Sequence, residues 1–353
     1  VSLRRASDAN AVLDAFEAVA AQASTPIVLQ VLAQTRAPRP LPLRAFTPKG
    51  ALAKVYGTED RREPVAPEIL ARVARICQNA LIQRFASLPP LGPCFVDPAL
   101  GDYKVPLAQR AASKTLRTLV RGSRLPLPDT RFIRLFLWWK NGRARTDIDL
   151  SAAFFDARFV FMQTVAYYNL TAFGGCHSGD IVDAPQGASE FIDLDIDALV
   201  EKGIRYVVTS INSYTEQPYC DLPECFAGWM ARADLASGEV FEPRSVIDRI
   251  DIASDTRICL PFVMDLQERR MIWADLGLTA SPRWNNVRNN LSGVSLMLRA
   301  LVHTPRPDLE TLFDLHARAR GERVSEPQRA QTVFSPLEGV TPCDVDVIRS
   351  QFL

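Results

Sequence analysis

The chain has 353 residues, 47% hydrophobic and 23% charged, with 41 basic against 40 acidic side chains. That length suits two or three soluble globular domains, a net charge of +1 singles out no class of partner, and no apolar run approaches the roughly 20 residues of a membrane span. Seven cysteines, an odd number scattered from Cys77 to Cys343, suit reduced thiols better than a disulfide framework, and the start lacks the apolar core of a signal peptide, so a cytoplasmic protein is expected.

The first residue is Val, which suits a processed chain or a piece of a longer one. Residues 10–34 predict two helical segments, the second starting at Thr25-Pro26, because Pro fits a first helical turn. Four prolines between residues 36 and 48 predict an extended connector. Residues 67–87 carry Ile69, Leu70, Val73, Ile76, Cys77, Leu81 and Ile82 at helical spacing, one amphipathic helix. Short strands are expected at Cys94–Val96 and Tyr103–Val105, around a turn at Asp97-Pro98. A helix over Leu107–Val120 is expected next. Arg110, Lys114, Arg117 and Arg121 form a basic stripe along it, a solvated or docking face, or an anion or nucleic-acid surface.

Pro126 and Pro128 mark a boundary. From Arg131 the texture changes to nine strand-like segments at fairly regular spacing: Phe132–Trp138, Ile148–Phe155, Phe159–Tyr167, Phe191–Leu194, Arg205–Ser213, Cys225–Ala231, Val246–Asp251, Arg257–Val263 and Met271–Leu276. That is the pattern of an antiparallel β-sandwich or barrel, with one short helical turn at Ile196–Lys202. Helices follow over Trp284–His303 and Asp308–Arg320, with Asp308 as cap and Gly321 as the terminating glycine. A polar loop is expected over 322–340, and a last helix over Thr341–Leu353 capped by Thr341. The expected class is a multidomain α+β chain: residues 1–128 basic and mostly helical, 129–280 an acidic sandwich, 281–353 helical. Residues 1–130 carry 18 basic against 10 acidic side chains, and residues 131–280 carry 14 against 22. Such modules dock on each other or face different partners.

The chemistry concentrates between Thr146 and Asp195. Alternation puts Asp147 and Asp149 on one face of a strand, and two carboxylates side by side are costly unless a positive charge lies between them. A glycine-rich turn, Gly174 to Asp180, carries His177 and Asp180, and Glu190 follows. Hard oxygen ligands gathered from turns and strand ends suit a calcium ion. The bland alternative is that Asp147 and Asp149 bind backbone amides in turns.

The succession TDIDLSAAFFD, AYYNL, HSGD, SEFIDLD and IRYVVTSINSY resembles the TerD-type tellurium-resistance and stress-protein domain over about Arg131 to Leu278. The wider chain looks like longer bacterial proteins in which such a domain follows a helical region. The resemblance implies a calcium-binding β-sandwich, with Asp147, Asp149, Asp180, Asp183 and Glu190 as candidate metal-site residues. The family's turn is typically Gly-Asp-Asn followed by an acidic loop. Here Ile181 to Ser189 keeps only Asp183, which implies a weaker site, a single ion, or none, since affinity follows ligand charge and rigidity.

Three functions stay open. The first is a non-enzymatic calcium-binding scaffold of a bacterial stress-response system with protein partners. The second is a metal-free interaction domain whose acidic face docks on the helix over 107–120. The third, least favoured, is a thiol hydrolase using Cys176 and His177, neighbours that a strand would point to opposite faces. Cys220 and Cys225 make at most half a zinc site. His303 and His316 read as packed or surface residues, and Trp138, Trp139 and Trp229 as core. No phosphate-binding glycine motif is present.

Overall fold

The computed structural model describes residues 8–37, 43–46, 56–107, 119–233, 246–278 and 291–353. Two compact units emerge. One gathers residues 1–44, 58–109 and 303–353, the other residues 45–57 and 110–302. Much of the two regions expected at 1–128 and 281–353 thus gathers in one unit, and the remainder falls to the other. Two three-residue strands, β1 (Arg44–Phe46) and β2 (Tyr56–Thr58), pair with each other.

In the first unit, α1 (Ala9–Ala20) starts at Asp8, whose carboxylate accepts from the amides of Asn10 and Ala11. The second helix, α2 (Thr25–Thr35), begins at the expected Thr-Pro. The stripe of α3 (Pro67–Phe85) buries Val73, Ile76, Cys77, Leu81 and Phe85. Beyond it β3 (Gly92–Val96) is flanked in parallel by β16 (Gly321–Arg323) and β17 (Thr332–Phe334). The polar loop expected over 322–340 therefore contains two strands. They are three residues long, too short for any period to show, and exist through pairing with β3.

Directly before β16 in the chain comes α6 (Leu309–Arg320), capped as expected by Asp308. Gly321 does not end it in a left-handed turn. Its backbone is extended (φ −140°, ψ 178°), and a β-carbon there would come within 2.8 Å of Cys94 Sγ. Close strand packing explains this glycine. His316 is fully buried. Its ring stacks on Phe85 at 3.7 Å, and its Nε2 lies 3.0 Å from the Phe352 carbonyl. The last helix, α7 (Val345–Gln351), begins at Asp344 and not at Thr341. The Asp344 carboxylate accepts from the Thr341 amide and hydroxyl, both at 2.7 Å, so the roles are reversed.

The second unit is the sandwich. One sheet runs in the order β13 (Val246–Asp251), β12 (Cys225–Arg232), β5 (Phe132–Trp139), β10 (Ala188–Asp195), β9 (Gly175–His177), β8 (Thr171–Ala172). The other runs β4 (Arg124–Pro126), β15 (Arg270–Leu278), β14 (Ile258–Asp265), β11 (Tyr206–Ser213), β6 (Ile148–Phe155), β7 (Phe161–Val165). All nine expected strands are present, paired antiparallel. Three more, β4, β8 and β9, were too short to be read. The short helix α4 (Ile196–Glu201) is in place.

Alternation carries Ile133, Leu135, Leu137 and Trp139 into the inter-sheet core, fully buried, where Trp229 of one sheet meets Phe262 of the other edge-on at 5.2 Å. The outer face of the second sheet is covered by α5 (Leu291–His303), whose Val294, Met297, Leu298 and Leu301 pack on Ala153, Phe155 and their neighbours. The part of that expected helix before residue 291 lies outside the described residues. So do Arg110, Lys114 and Arg117 of the basic stripe. Arg121 is described, and its guanidinium donates to the backbone carbonyls of Ala274 and Asp275 on β15.

Candidate metal centre

The site grows from the start of β6. Asp147 and Asp149 continue the face that Ala153 and Phe155 present to α5, two residues apart along an alternating strand. Both are 5% exposed. Asn212 stands directly opposite Asp149 on β11, and its side-chain amide donates to the Asp149 carboxylate. The backbone of Asp147 is pinned on both sides: its carbonyl accepts from Tyr214 N–H at 2.9 Å, and its N–H donates to Thr215 Oγ1 at 3.3 Å.

The other edge of β6 explains how the third carboxylate arrives. The partner strand β7 pairs only with Ala152 to Phe155, which leaves the N–H and C=O of Leu150 without a strand. Buried backbone groups must be satisfied, and two side chains from the opposite sheet do it. Glu190 Oε2 on β10 accepts from Leu150 N–H at 2.9 Å, and His177 Nε2 on β9 lies 3.0 Å from the Leu150 carbonyl. The same side chains grip the turn after β9. His177 Nδ1 accepts from Gly179 N–H at 3.0 Å, so the ring proton sits on Nε2 and is donated to Leu150, and Glu190 Oε1 accepts from Ile181 N–H at 3.0 Å. Gly179 has φ +108°, a conformation that favours glycine. Asp180 lies between the two gripped amides.

The result is a cluster of Asp147, Asp149 and Asp180 in which one oxygen from each lies within 4.8 Å of the others. Ligands on opposite sides of a calcium ion at about 2.4 Å stand about 4.8 Å apart, so the spacing fits one hard cation. The electrostatics point the same way. Asp149 is pushed up to about 7 by burial and by the charges of Asp147 and Asp180, against the Asn212 hydrogen bond. Asp147 is raised by burial and Asp180, with Arg145 opposing. Arg145 reaches Asp147 only at 3.5 Å, and its Nε donates to the Val182 carbonyl at 2.8 Å. Burial and the carboxylates of Asp149 and Asp180 also raise the Tyr167 phenol, which borders the site.

The remaining candidates separate from the cluster. Glu190 has no exposed surface and is pushed up to about 8 by burial, against its two amide donors. Both of its oxygens are engaged by backbone, and it lies outside the triad. Asp183 is exposed and accepts from Asn141 Nδ2 at 2.7 Å, while Asn141 Oδ1 takes the amides of Ala184 and Thr146. It belongs to the anchoring of the loop. Cys176 is exposed and His177 buried, and both ring nitrogens of His177 are occupied by backbone, so His177 is not presented to Cys176 as a base. Burial lowers the His177 pKa. Cys220 is exposed and Cys225 buried, and among the described residues the aspartate triad is the one metal-type cluster.

Sequence reasoning missed Asn212, although alternation in IRYVVTSINSY was the available signal. It also missed the bracing by His177 and Glu190, which depends on an unpaired strand edge.

No family model and no curated protein matches the chain. Among solved structures, the chain is similar to a homologue of telluride resistance protein (TerD) from Streptomyces coelicolor A3(2), at 12% identity and TM-score 0.35, over 43% of this chain and 93% of that one. It is also similar to a protein of unknown function at 14% identity and TM-score 0.36, over 44% of this chain and 94% of that one.

Proposed function

We propose that the sandwich is a calcium-binding module held by Asp147, Asp149 and Asp180, working as a non-enzymatic, TerD-like scaffold in a bacterial stress response. The observation that carries the binding reading is the triad itself: three carboxylates within 4.8 Å, two of them buried, with Arg145 approaching Asp147 at 3.5 Å. Proteins bury charges when they are paired or hold a metal. The donors are hard oxygens on a strand and a braced turn, and a bound divalent ion would offset the mutual repulsion of the three carboxylates. The stress-response role rests on the resemblance alone. No helix among the described residues is long and apolar enough to cross a membrane.

Thermal melting of the full chain tests the binding reading. With millimolar calcium the midpoint is expected to rise, and Asp149→Asn or Asp180→Asn should abolish the rise. An unchanged wild-type midpoint together with no calcium binding in solution would refute it.

A further inference from the structure

We infer that His177 and Glu190 form a two-point clamp that positions the Asp180 turn against β6 and so sets the affinity of the cation site, with Glu190 acting from outside the ligand set. The inference rests on the calcium reading above and deepens it. Each of the two side chains makes one hydrogen bond to Leu150, the neighbour of Asp149, and one to the turn. His177 takes the amide before Asp180 and Glu190 the amide after it. The four distances lie between 2.9 and 3.0 Å.

Both side chains are fully buried, and His177 Nε2 stands 3.6 Å from Glu190 Oε2, so the two brace each other's placement. The turn itself is exposed from Ser178 through Asp183, apart from a half-buried Gly179. Outside the clamp the loop is anchored on either side of the Asp180 turn: Ser178 N–H donates to the Phe191 carbonyl at 2.9 Å and its Oγ accepts from Phe191 N–H at 3.0 Å, Arg145 holds the Val182 carbonyl, and Asn141 holds Asp183 and Ala184 farther along. Without the clamp, Asp180 swings on a solvated turn while Asp147 and Asp149 stay on the strand, and the third ligand is lost from the spacing a cation needs. Groups that orient ligands from behind typically carry about 10- to 100-fold in metal affinity.

The test compares calcium affinities by calorimetry for the wild-type chain, His177→Gln, Glu190→Gln, Glu190→Ala and the double variant His177→Gln/Glu190→Ala. Terbium luminescence sensitised through Tyr167 reports the site directly. Glu190→Ala is expected to weaken binding by about 10- to 100-fold. Glu190→Gln keeps one acceptor oxygen and should lose less. The double variant should lose little more than the worse single one, because both residues act through one turn. Circular dichroism and melting identify variants that fail to fold. For that case, hydrogen exchange in the calcium-loaded wild-type chain gives a second reading, with the Gly179 and Ile181 amides expected to be strongly protected. Folded variants with wild-type affinity, or fast exchange at both amides, overturn the clamp while leaving the calcium reading intact. A wild-type chain that binds no calcium overturns the calcium reading instead.

Discussion

Asp149 carries the largest electrostatic strain of the aspartate triad. Its usual carboxylate value is 3.8, and burial together with Asp147 and Asp180 pushes it up to about 7. Glu190 moves from 4.5 to about 8. A group with a raised folded-state value keeps its proton in the folded chain after the unfolded chain has lost it. Its contribution to stability is complete below the unfolded value and is lost as pH rises through the folded one. Without calcium, stability is therefore expected to fall as pH rises from about 4 to about 8. A bound divalent ion displaces the Asp149 proton, so calcium should stabilise most at the alkaline end of the window. Melting curves at pH 5 and pH 8, with and without calcium, check both signs. A calcium shift larger at pH 5 would contradict them. Asp149→Asn removes the buried charge, and at pH 8 in a chelator it is expected to raise the midpoint by about 5 °C, a gain that a merely amide-binding aspartate would not give.

Secondary-structure elements of six or more residues were legible where alternation ran long enough. The full eight-residue span Ile148–Phe155 is the strand β6: polar and apolar residues alternate as far as Ser151, and the run Ala152–Phe155 is apolar because Ala153 and Phe155 are covered by α5. The short elements were hidden. Strands β8 and β9 hold two and three residues, and the Gly174–Asp180 segment read only as a turn. Strands β16 and β17 lie in polar sequence and take their register from β3, far away in the chain. The candidate site divides the same way. Asp147, Asp149 and Asp180 were visible as a strand pair and a glycine turn. The true place of Glu190 was not, because its partners are backbone amides that carry no side-chain signature. Gly179 is the element-level test. At φ +108° an alanine costs about 1–3 kcal/mol, either in stability or by moving the turn. A β-carbon there meets nothing within 4 Å, so the loss comes from the backbone alone. Gly179→Ala is expected to keep the fold and weaken calcium binding by calorimetry, and unchanged affinity would show that the turn's conformation does not matter.

At the scale of the whole molecule, the chain order conceals which parts fold together. The first unit draws on three separated stretches, because the parallel pairing of β3 with β16 and β17 requires it. Composition and charge run along the sequence and carry no trace of such long-range pairing. A chain cut after Val302 loses α6, β16, β17 and α7. It is expected to leave the buried face of α3 uncovered, so that residues 67–96 become sensitive to protease, while the sandwich keeps its calcium response.

The decisive measurement of calcium binding by Asp147, Asp149 and Asp180 is calorimetric titration of calcium into the full chain at pH 7.5. Saturable binding of one ion per chain is expected, with protons released to the buffer, abolished in Asp149→Asn and retained in Asp183→Asn. No saturable binding up to millimolar calcium, or binding that survives Asp149→Asn, would contradict it.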